Sequence, residues 1–373
     1  MQRCRVPERP DWRAKFTALG FAFHSADGGY WDESACYRFT TAEIDELESA
    51  TQELHRLALA AVKHIIAEER CADLLIPPAC VPLVEHAWSG SAPSLYGRFD
   101  LAYDGRHPPK LLEYNADTPT SLLEAAVAQW QWLEDTGRPD QFNSLHEKII
   151  ARWRAVAAAA PRDAPIHFSC IKHNEEDRIT VEYLRDTAMQ AGLATAFVYI
   201  EDLGWDGQTF RDLDDQPIAA WFKLYPWEWL MRESFGAHLA AARLHTIEPP
   251  WKALLSNKAI LAVLWELFPD HPNLLPAYFN PDYLGASFVT KPFLSREGAN
   301  VTFAGSAREI STSGPYGAEG FVYQARADLP AFDGHYPVIG AWVVGDEPAG
   351  IGIREDATPI TTNASRFVPH YFD

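Results

Sequence analysis

Two short stretches of this sequence put carboxylates where they could share a cation: Arg98-Phe-Asp100 and Glu113-Tyr-Asn115. In a strand, residues two apart project from one face, so Arg98 and Asp100 form one pair and Glu113 and Asn115 another. Asp104-Gly-Arg-His-Pro-Pro between them reads as the turn of a hairpin. If that hairpin pairs Tyr103 with Lys110, Asp100 falls opposite Glu113 and Arg98 opposite Asn115. Two carboxylates directly opposite destabilise a sheet, and a bound cation removes the penalty. Carboxylate and amide oxygens suit Mg²⁺, which keeps waters and shares itself with phosphates. The same residues also fit a solvated hairpin face, and a slip of one position would undo the pairing.

Other groups could hold anions or amines. Thr118, Thr120 and Ser121 precede a helical stretch, where a hydroxyl can cap the helix and free N–H groups can bind a carboxylate. Lys258 stands near the start of a second helix, and Lys291 ends the run Ser287-Phe-Val-Thr-Lys291-Pro. The loop 295–301 follows, with Arg296 and the single glycine Gly298. A lysine beside a loop of backbone N–H groups is one way to hold a triphosphate, although surface lysines at a hairpin tip read the same. No Walker loop, Gly-x-Gly-x-x-Gly, nucleophile elbow or His-Glu-x-x-His is present. In Gly350-Ile-Gly-Ile-Arg354-Glu355, Arg354 falls on the face opposite Ile351 and Ile353, where it could clamp a phosphate or stay solvated. Asn174-Glu175-Glu176-Asp177 could hold an amine or cap the helix after it.

Several elements must position these groups. Leu47, Leu54, Leu57, Leu59, Val62 and Ile65 predict a long helix over 41–69. Residues 95–103 and 111–115 read as the hairpin strands, followed by helices over 121–134 and 143–160. After a linker at 161–165, strands at 166–170, 196–199 and 218–224 alternate with a helix over 176–191, which predicts a small, partly parallel α/β layer. A helix over 257–268 and then strands and hairpins from 287 onward complete the chain. The fold class expected is α+β or α/β. Three segments follow from this order: 1–165 with the hairpin, 166–250 as a substrate layer, and 251–373 with the lysines and a lid loop.

Composition narrows the classes. A 373-residue chain with 47% hydrophobic residues can bury a large core in more than one lobe. It holds no run long and apolar enough for a membrane span and begins with no apolar signal core, so a cytoplasmic protein without a membrane partner is expected. Five scattered cysteines with no Cys-x-x-Cys argue against a zinc site or disulfide framework. A formal net charge of −19 repels nucleic acid; it would draw a cationic partner such as a polyamine, or simply keep the protein soluble. Nothing in the sequence sets an oligomeric state.

Taken in order along the chain, Gly97-Arg-Phe-Asp100, Leu112-Glu-Tyr-Asn-Ala-Asp-Thr-Pro-Thr120, residues 251–268, Val289-Thr-Lys-Pro292 through Val301, Tyr323-Gln324 and Ile353-Arg-Glu-Asp356 resemble the glutathionylspermidine synthase family, a branch of the ATP-grasp ligases. The metal stretch precedes the lysines, a permuted order also similar to eukaryotic glutathione synthetase. The resemblance implies an ATP-grasp fold with a preceding α/β layer, and ATP and Mg²⁺ as cofactors. It implies Asp100, Glu113 and Asn115 as metal ligands, and Lys258, Lys291 and Gln324 as nucleotide contacts. It further implies Arg98 and Arg354 at the reacting centre, and Thr118, Thr120, Glu175, Glu176 and Arg296 around small-molecule substrates. The reaction implied is ligation: ATP phosphorylates a carboxylate of glutathione or a peptide-like acid, and a polyamine or amino compound displaces phosphate to form an amide. The additional cysteine-amidase domain of bifunctional relatives has no room here, so amide hydrolysis is not expected. Thr118 and Thr120 stand where the family often has serine, and Trp229 where a small hydroxyl residue is usual.

Two other readings are compatible with the same residues. A nucleotide-binding ATP-grasp protein without ligase activity would bind ATP and phosphorylate no acid. A phosphotransferase would stop at the acyl phosphate, which hydroxylamine would trap without any amide appearing.

Overall fold

The helix Thr41–Ala67 opens with a capping box, in which the Thr40 hydroxyl accepts from Glu43 N–H and the Glu43 carboxylate accepts from Thr40 N–H. Its buried stripe includes Ile44, Leu47, Leu54, Leu57, Val62 and Ile65, while Leu59 of the expected stripe is only half-buried. That stripe covers strands Tyr336–Val344 and Glu347–Asp356 and the helix Ile260–Leu267. The computed structural model describes residues 1–161, 164–242, 244–305 and 310–373; part of the expected linker at 161–165 lies outside the described residues.

A five-stranded antiparallel sheet carries the hairpin. Its order is Arg366–Val368, Glu347–Asp356, Tyr336–Val344, Tyr96–Ala102 and Lys110–Asn115. It therefore draws strands from both the first and the last of the expected segments. A second five-stranded sheet, ordered Ala277–Tyr278, Phe321–Ala325, Phe288–Pro292, Thr302–Ala304 and Ile310–Ser311, faces it across a cleft. Between these parts of the chain lies a four-stranded sheet (His245–Ile247, Ala220–Lys223, Ile166–Ser169, Thr195–Phe197) whose described pairings are all parallel. The helix Glu175–Gln190 makes the crossover between its last two strands, as a parallel pair requires. A three-stranded sheet joins Gln2–Arg5, Ala35–Phe39 and His370–Phe372, bringing the two ends of the chain together.

Two expected helices are interrupted. The helix expected over 257–268 is confined to Ile260–Leu267, set off from a preceding short helix, Lys252–Ser256, by an extended Asn257 with Lys258 at the break. The helix after Ser121 contains a π turn, Glu124–Ala128, before continuing as Gln129–Thr136. The wider turn leaves the Ala125 carbonyl to the Gln129 side-chain amide at 2.7 Å, and the same amide reaches Ile351 O at 2.8 Å. Ser121 does not cap this helix: its backbone is left-handed, at φ 66°, and its hydroxyl bonds the Tyr30 hydroxyl instead.

A buried ion pair locks the hairpin to the parallel sheet. Asp117 accepts from Lys223 Nζ at 2.8 Å and from Trp227 N–H at 2.7 Å, and both charged side chains are fully shielded from solvent. Breaking such a pair strands one charge in a low-dielectric interior. Asp117→Ala is expected to lower the unfolding free energy by about 3–5 kcal/mol, and the double variant Asp117→Ala/Lys223→Met to recover most of the loss. Denaturant midpoints at unchanged slope measure this; a single-variant loss below about 1 kcal/mol would contradict it.

Candidate active site

The hairpin register places Arg98 opposite Asn115, Phe99 opposite Tyr114 and Asp100 opposite Glu113, as the alternation predicts. It then shifts by one: Leu101 faces Leu111, and Lys110 pairs with Ala102 rather than the expected Tyr103. The extra residue is Leu112, a bulge that turns carbonyls out of the ladder. Lys291 Nζ donates to Leu112 O at 2.8 Å, and Gln324 Nε2 donates to Leu111 O at 2.9 Å. Lys291 also donates to Gln324 Oε1 at 2.8 Å. These bonds fasten the hairpin to the second sheet. The Gln324 amide is thereby committed within the protein, although the residue lines the cleft.

Within this frame the two carboxylates are surrounded by cations. Arg98 donates to Asp100 through Nε at 2.7 Å and Nη2 at 3.1 Å. Lys258 Nζ lies 2.9 Å from Glu113 Oε2 and donates to Ser295 O at 2.6 Å. Asn115 Nδ2 bridges Asp100 Oδ2 and Glu113 Oε1, each at 3.2 Å. Burial and the Glu113 charge raise the Asp100 pKa against the pull of Arg98. Burial opposes ionisation of Glu113 as well, but Lys258 and Lys291 hold it down to about 2. Burial lowers Lys291 to about 8.

Three cavities meet at this hairpin. The first is a cleft, open at its mouth, between the two five-stranded sheets. Val289, Phe303, Leu329 and Ile360 supply apolar walls, while Asp100, Glu113 and Lys291 supply a charged end. Loop 295–301 closes one side through Gly298, whose left-handed φ of 66° brings it against Thr361; a Cβ there would stand 2.4 Å from Thr361 O. Such a slot, apolar along its length with two carboxylates and a lysine at one end, fits a flat base whose phosphates carry a cation.

The second cavity holds Arg98, Asp100, Ser121 and Arg354 above a floor of Gly340 and Gly352. Gly340 gives the Arg98 stem its space, since a Cβ there would lie 2.8 Å from Arg98 Cδ. Arg98 Nη1 donates to Thr120 O at 2.6 Å. Arg354 Nη2 donates to Thr362 O at 2.5 Å, while its Nε is buried without a partner. An unpartnered guanidinium donor beside a second arginine suits an anionic ligand.

The third contains Asn115, Thr118, Glu228, Lys258 and Arg296. Arg296 Nη1 donates to Thr118 Oγ1 at 2.9 Å, and Nη2 donates to Glu228 Oε1 at 2.6 Å. Trp229 is half-exposed, with the Arg296 guanidinium 5.6 Å from its ring centre. The acidic stretch divides. Asn174 caps its helix by accepting from Asp177 N–H at 3.0 Å, and Glu175 is exposed. Glu176 is half-buried, and burial raises its pKa against the pull of Arg354. Glu228 was not singled out from the sequence, where one acid between two tryptophans carries no spacing signal.

Among the described residues, no group of three or more His, Cys, Asp or Glu side chains could hold a metal. A cation at Asp100, Glu113 and Asn115 would complete its shell with phosphate oxygens and water, as suits Mg²⁺. The donor chemistry fits, provided the Asn115 amide turns to present its oxygen.

Comparisons with known proteins agree with this geometry. The family described as "Glutathionylspermidine synthase preATP-grasp" matches residues 3–373. A Haemophilus influenzae protein named "Putative acid--amine ligase" is 45% identical across 98% of this chain and 98% of its own length. Trypanothione synthetase of Crithidia fasciculata is 30% identical across 84% of this chain and 53% of its own length. The bifunctional glutathionylspermidine synthetase/amidase of Escherichia coli (strain K12) is 27% identical across 96% of this chain and 63% of its own. The chain thus spans little more than half the length of these last two relatives. Among solved structures, a glutathione synthetase-like effector of Globodera pallida in apoform has TM-score 0.56 at 11% identity, covering 99% of this chain and 100% of that one, a likeness of fold. No described helix is long and apolar enough to cross a membrane. With the permuted ATP-grasp arrangement, the ordered motifs and the full-length match all in agreement, the chain belongs to the glutathionylspermidine synthase preATP-grasp family and is an acid–amine ligase of that type.

Proposed function

We propose that the protein uses ATP and Mg²⁺ to join a carboxylate to an amine through an acyl phosphate. The acid is glutathione or a similar peptide-like carboxylate, and the amine is a polyamine or amino compound. The observation that carries this reading is the position of the Asp100–Glu113 pair, at the boundary between the apolar cleft and the cavity of Arg98 and Arg354. A metal-bound triphosphate seated in the cleft would present its terminal phosphoryl group at that boundary.

A carboxylate is a poor electrophile, and phosphorylation gives it a leaving group. Lys258 and Lys291 are suited to the nucleotide phosphates, with Gln324 and Leu112 O setting the position of Lys291. Arg98 and Arg354 are suited to the charge that develops as phosphoryl transfers to the acid. Bound Mg²⁺ would supply further positive charge to the phosphate oxygens. Thr118 with Arg296, and Thr120 beside Arg98, are suited to the acid. Glu176 is suited to the amine, which must lose its charge before it attacks. The long net negative field favours a polycationic amine over an anionic one.

In a screen of acid and amine pairs, ADP release is expected to require both partners and to accompany a new amide mass. Asp100→Ala should cut turnover at least about a hundredfold. No turnover with any pair, or full activity in Asp100→Ala, would overturn the reading; ATP-dependent hydroxamate without amide would point to a phosphotransferase instead. A second expectation follows from Lys291. Below pH 8 this lysine already carries its charge; above it, the lysine must take up a proton to meet a phosphate. ATP affinity should therefore fall as pH rises from about 7.5 to about 9, with proton uptake on binding, and Lys291→Met should abolish that dependence. Calorimetry in buffers of different ionisation enthalpy measures both.

A further inference from the structure

Beside Arg98 and Arg354 stands a neutral donor, the Ser121 hydroxyl. Ser121 lines their cavity, is 3% exposed and holds φ 66°. A residue with a Cβ keeps that left-handed backbone only where its surroundings impose it, and such positions cluster at active sites. Two contacts impose it here. Arg98 Nη1 donates to the carbonyl of the preceding residue, Thr120, at 2.6 Å. The Tyr30 hydroxyl lies 2.9 Å from Ser121 Oγ. Tyr30 is itself fixed, since its carbonyl accepts from Phe367 N–H at 2.7 Å and Phe367 lines the same cavity. The Arg354 guanidinium lies 6.0 Å from the centre of the Tyr30 ring.

The two hydroxyls carry two protons and share one hydrogen bond. Among the described residues neither makes another side-chain hydrogen bond, and Ser121 forms no cap on the helix that follows. With Tyr30 as the donor, the Ser121 proton stays free for a ligand in the cavity. A buried donor left without an acceptor is costly, so its retention points to an acceptor that arrives from outside. The guanidinium groups of Arg98 and Arg354 on the same cavity select an acceptor oxygen that carries negative charge. Glycine would take φ 66° without strain but would supply no donor.

We infer that Ser121 is a catalytic donor to the oxyanion of the amide-forming step, and that Tyr30 is the positioning residue that aims it. This rests on the ligase reading above. The neutral amine attacks the acyl carbon, the C–N bond forms, and the π pair of the C=O bond moves onto the carbonyl oxygen. Ser121 Oγ donates a hydrogen bond to that oxygen as its charge develops. The C=O bond then re-forms, the bond from the acyl carbon to the phosphate oxygen breaks, and phosphate leaves with the electron pair. The proton lost by the nitrogen goes to the departing phosphate, which leaves as hydrogen phosphate. Ser121 and Tyr30 keep their own protons throughout. Held by Arg98 through its backbone and by Tyr30 through its side chain, the Ser121 hydroxyl needs no reorganisation when the charge appears.

The test uses Ser121→Gly, which removes the hydroxyl and accepts the left-handed backbone, Tyr30→Phe, and the two combined. Glutathione and spermidine serve as the first acid and amine, or the pair that the ADP-release screen returns. In Ser121→Gly, amide formation at saturating substrates should fall at least about thirtyfold. The first-turnover burst of ADP should stay within about threefold of wild type, because phosphorylation of the acid does not need this donor. Acyl phosphate should then accumulate on the enzyme and appear as hydroxamate when the reaction is quenched into hydroxylamine. Tyr30→Phe should show the same pattern with a smaller loss, and the double variant should be no slower than Ser121→Gly alone. Thermal unfolding identifies a variant that does not fold; Ser121→Ala replaces Ser121→Gly in that case. Amide formation within about twofold of wild type in the folded Ser121 variant, an equal loss of ADP burst and amide, or additive losses in the double variant would overturn the proposal. A wild-type protein that forms no acyl phosphate with any acid would overturn the ligase reading itself.

Discussion

Two like charges on neighbouring strands govern this structure. Asp100 faces Glu113 across a hairpin, and Asn115 touches both carboxylates at 3.2 Å. Near a protein surface, two unit charges about 4 Å apart repel by about 4 kcal/mol. No sheet would adopt that pairing without compensation, and the surrounding residues supply it. Arg98 comes from the same strand as Asp100, Lys258 from the break between two helices, and Lys291 from the second sheet. Each cation arrives from a different part of the chain, so folding assembles the site as a condition of tolerating the pair. On the proposed reading, a metal that took over the carboxylates would leave the same cations available to anionic ligands.

The bulge at Leu112 makes this assembly geometrically possible. By adding one residue to a single strand, it preserves the register of Asp100 with Glu113 and turns the backbone toward Lys291 and Gln324. The cleft between the two five-stranded sheets and the two-arginine cavity therefore share a wall. A phosphoryl group leaving one would enter the other across Asp100, with water displaced from both sides by apolar walls and by the seated loop 295–301. Asp117 and Lys223 fasten this wall to the parallel sheet from behind, which is why a residue inside a chemistry-bearing motif serves rigidity instead.

The hairpin could be read from the sequence because its signal is local: alternation fixes faces, and a turn fixes the pairing of Arg98 with Asn115 and Asp100 with Glu113. The bulge could not, since an extra residue near the turn leaves the polar pattern further along unchanged. The long helix was legible from its stripe, whereas the short helix Lys252–Ser256 before the polar break Ser256-Asn257-Lys258 was not, because five residues are too few to show a helical period. Non-local pairing was equally hidden: nothing in the spacing announces that the strands at 336–356 complete the hairpin's sheet. Ser121 read as a helix cap, because a hydroxyl before a helical run is the ordinary capping signal; its left-handed backbone leaves no mark in the sequence. Gln324 shows the opposite case, a residue whose place in the cleft wall was expected but whose amide the fold uses to fasten two sheets together.

On the proposed reading, Asp100 and Glu113 act together as a seat for the metal of a nucleotide. The most direct measurement is ATP affinity by calorimetry with Mg²⁺ present and with Mg²⁺ removed by chelation, in the wild type and in Glu113→Gln. Removing Mg²⁺ is expected to weaken ATP binding at least about tenfold in the wild type, a difference of about 1.4 kcal/mol, and to have little effect in the variant. Equal ATP affinity with and without Mg²⁺ in the wild type, or the same Mg²⁺ dependence in Glu113→Gln, would contradict it.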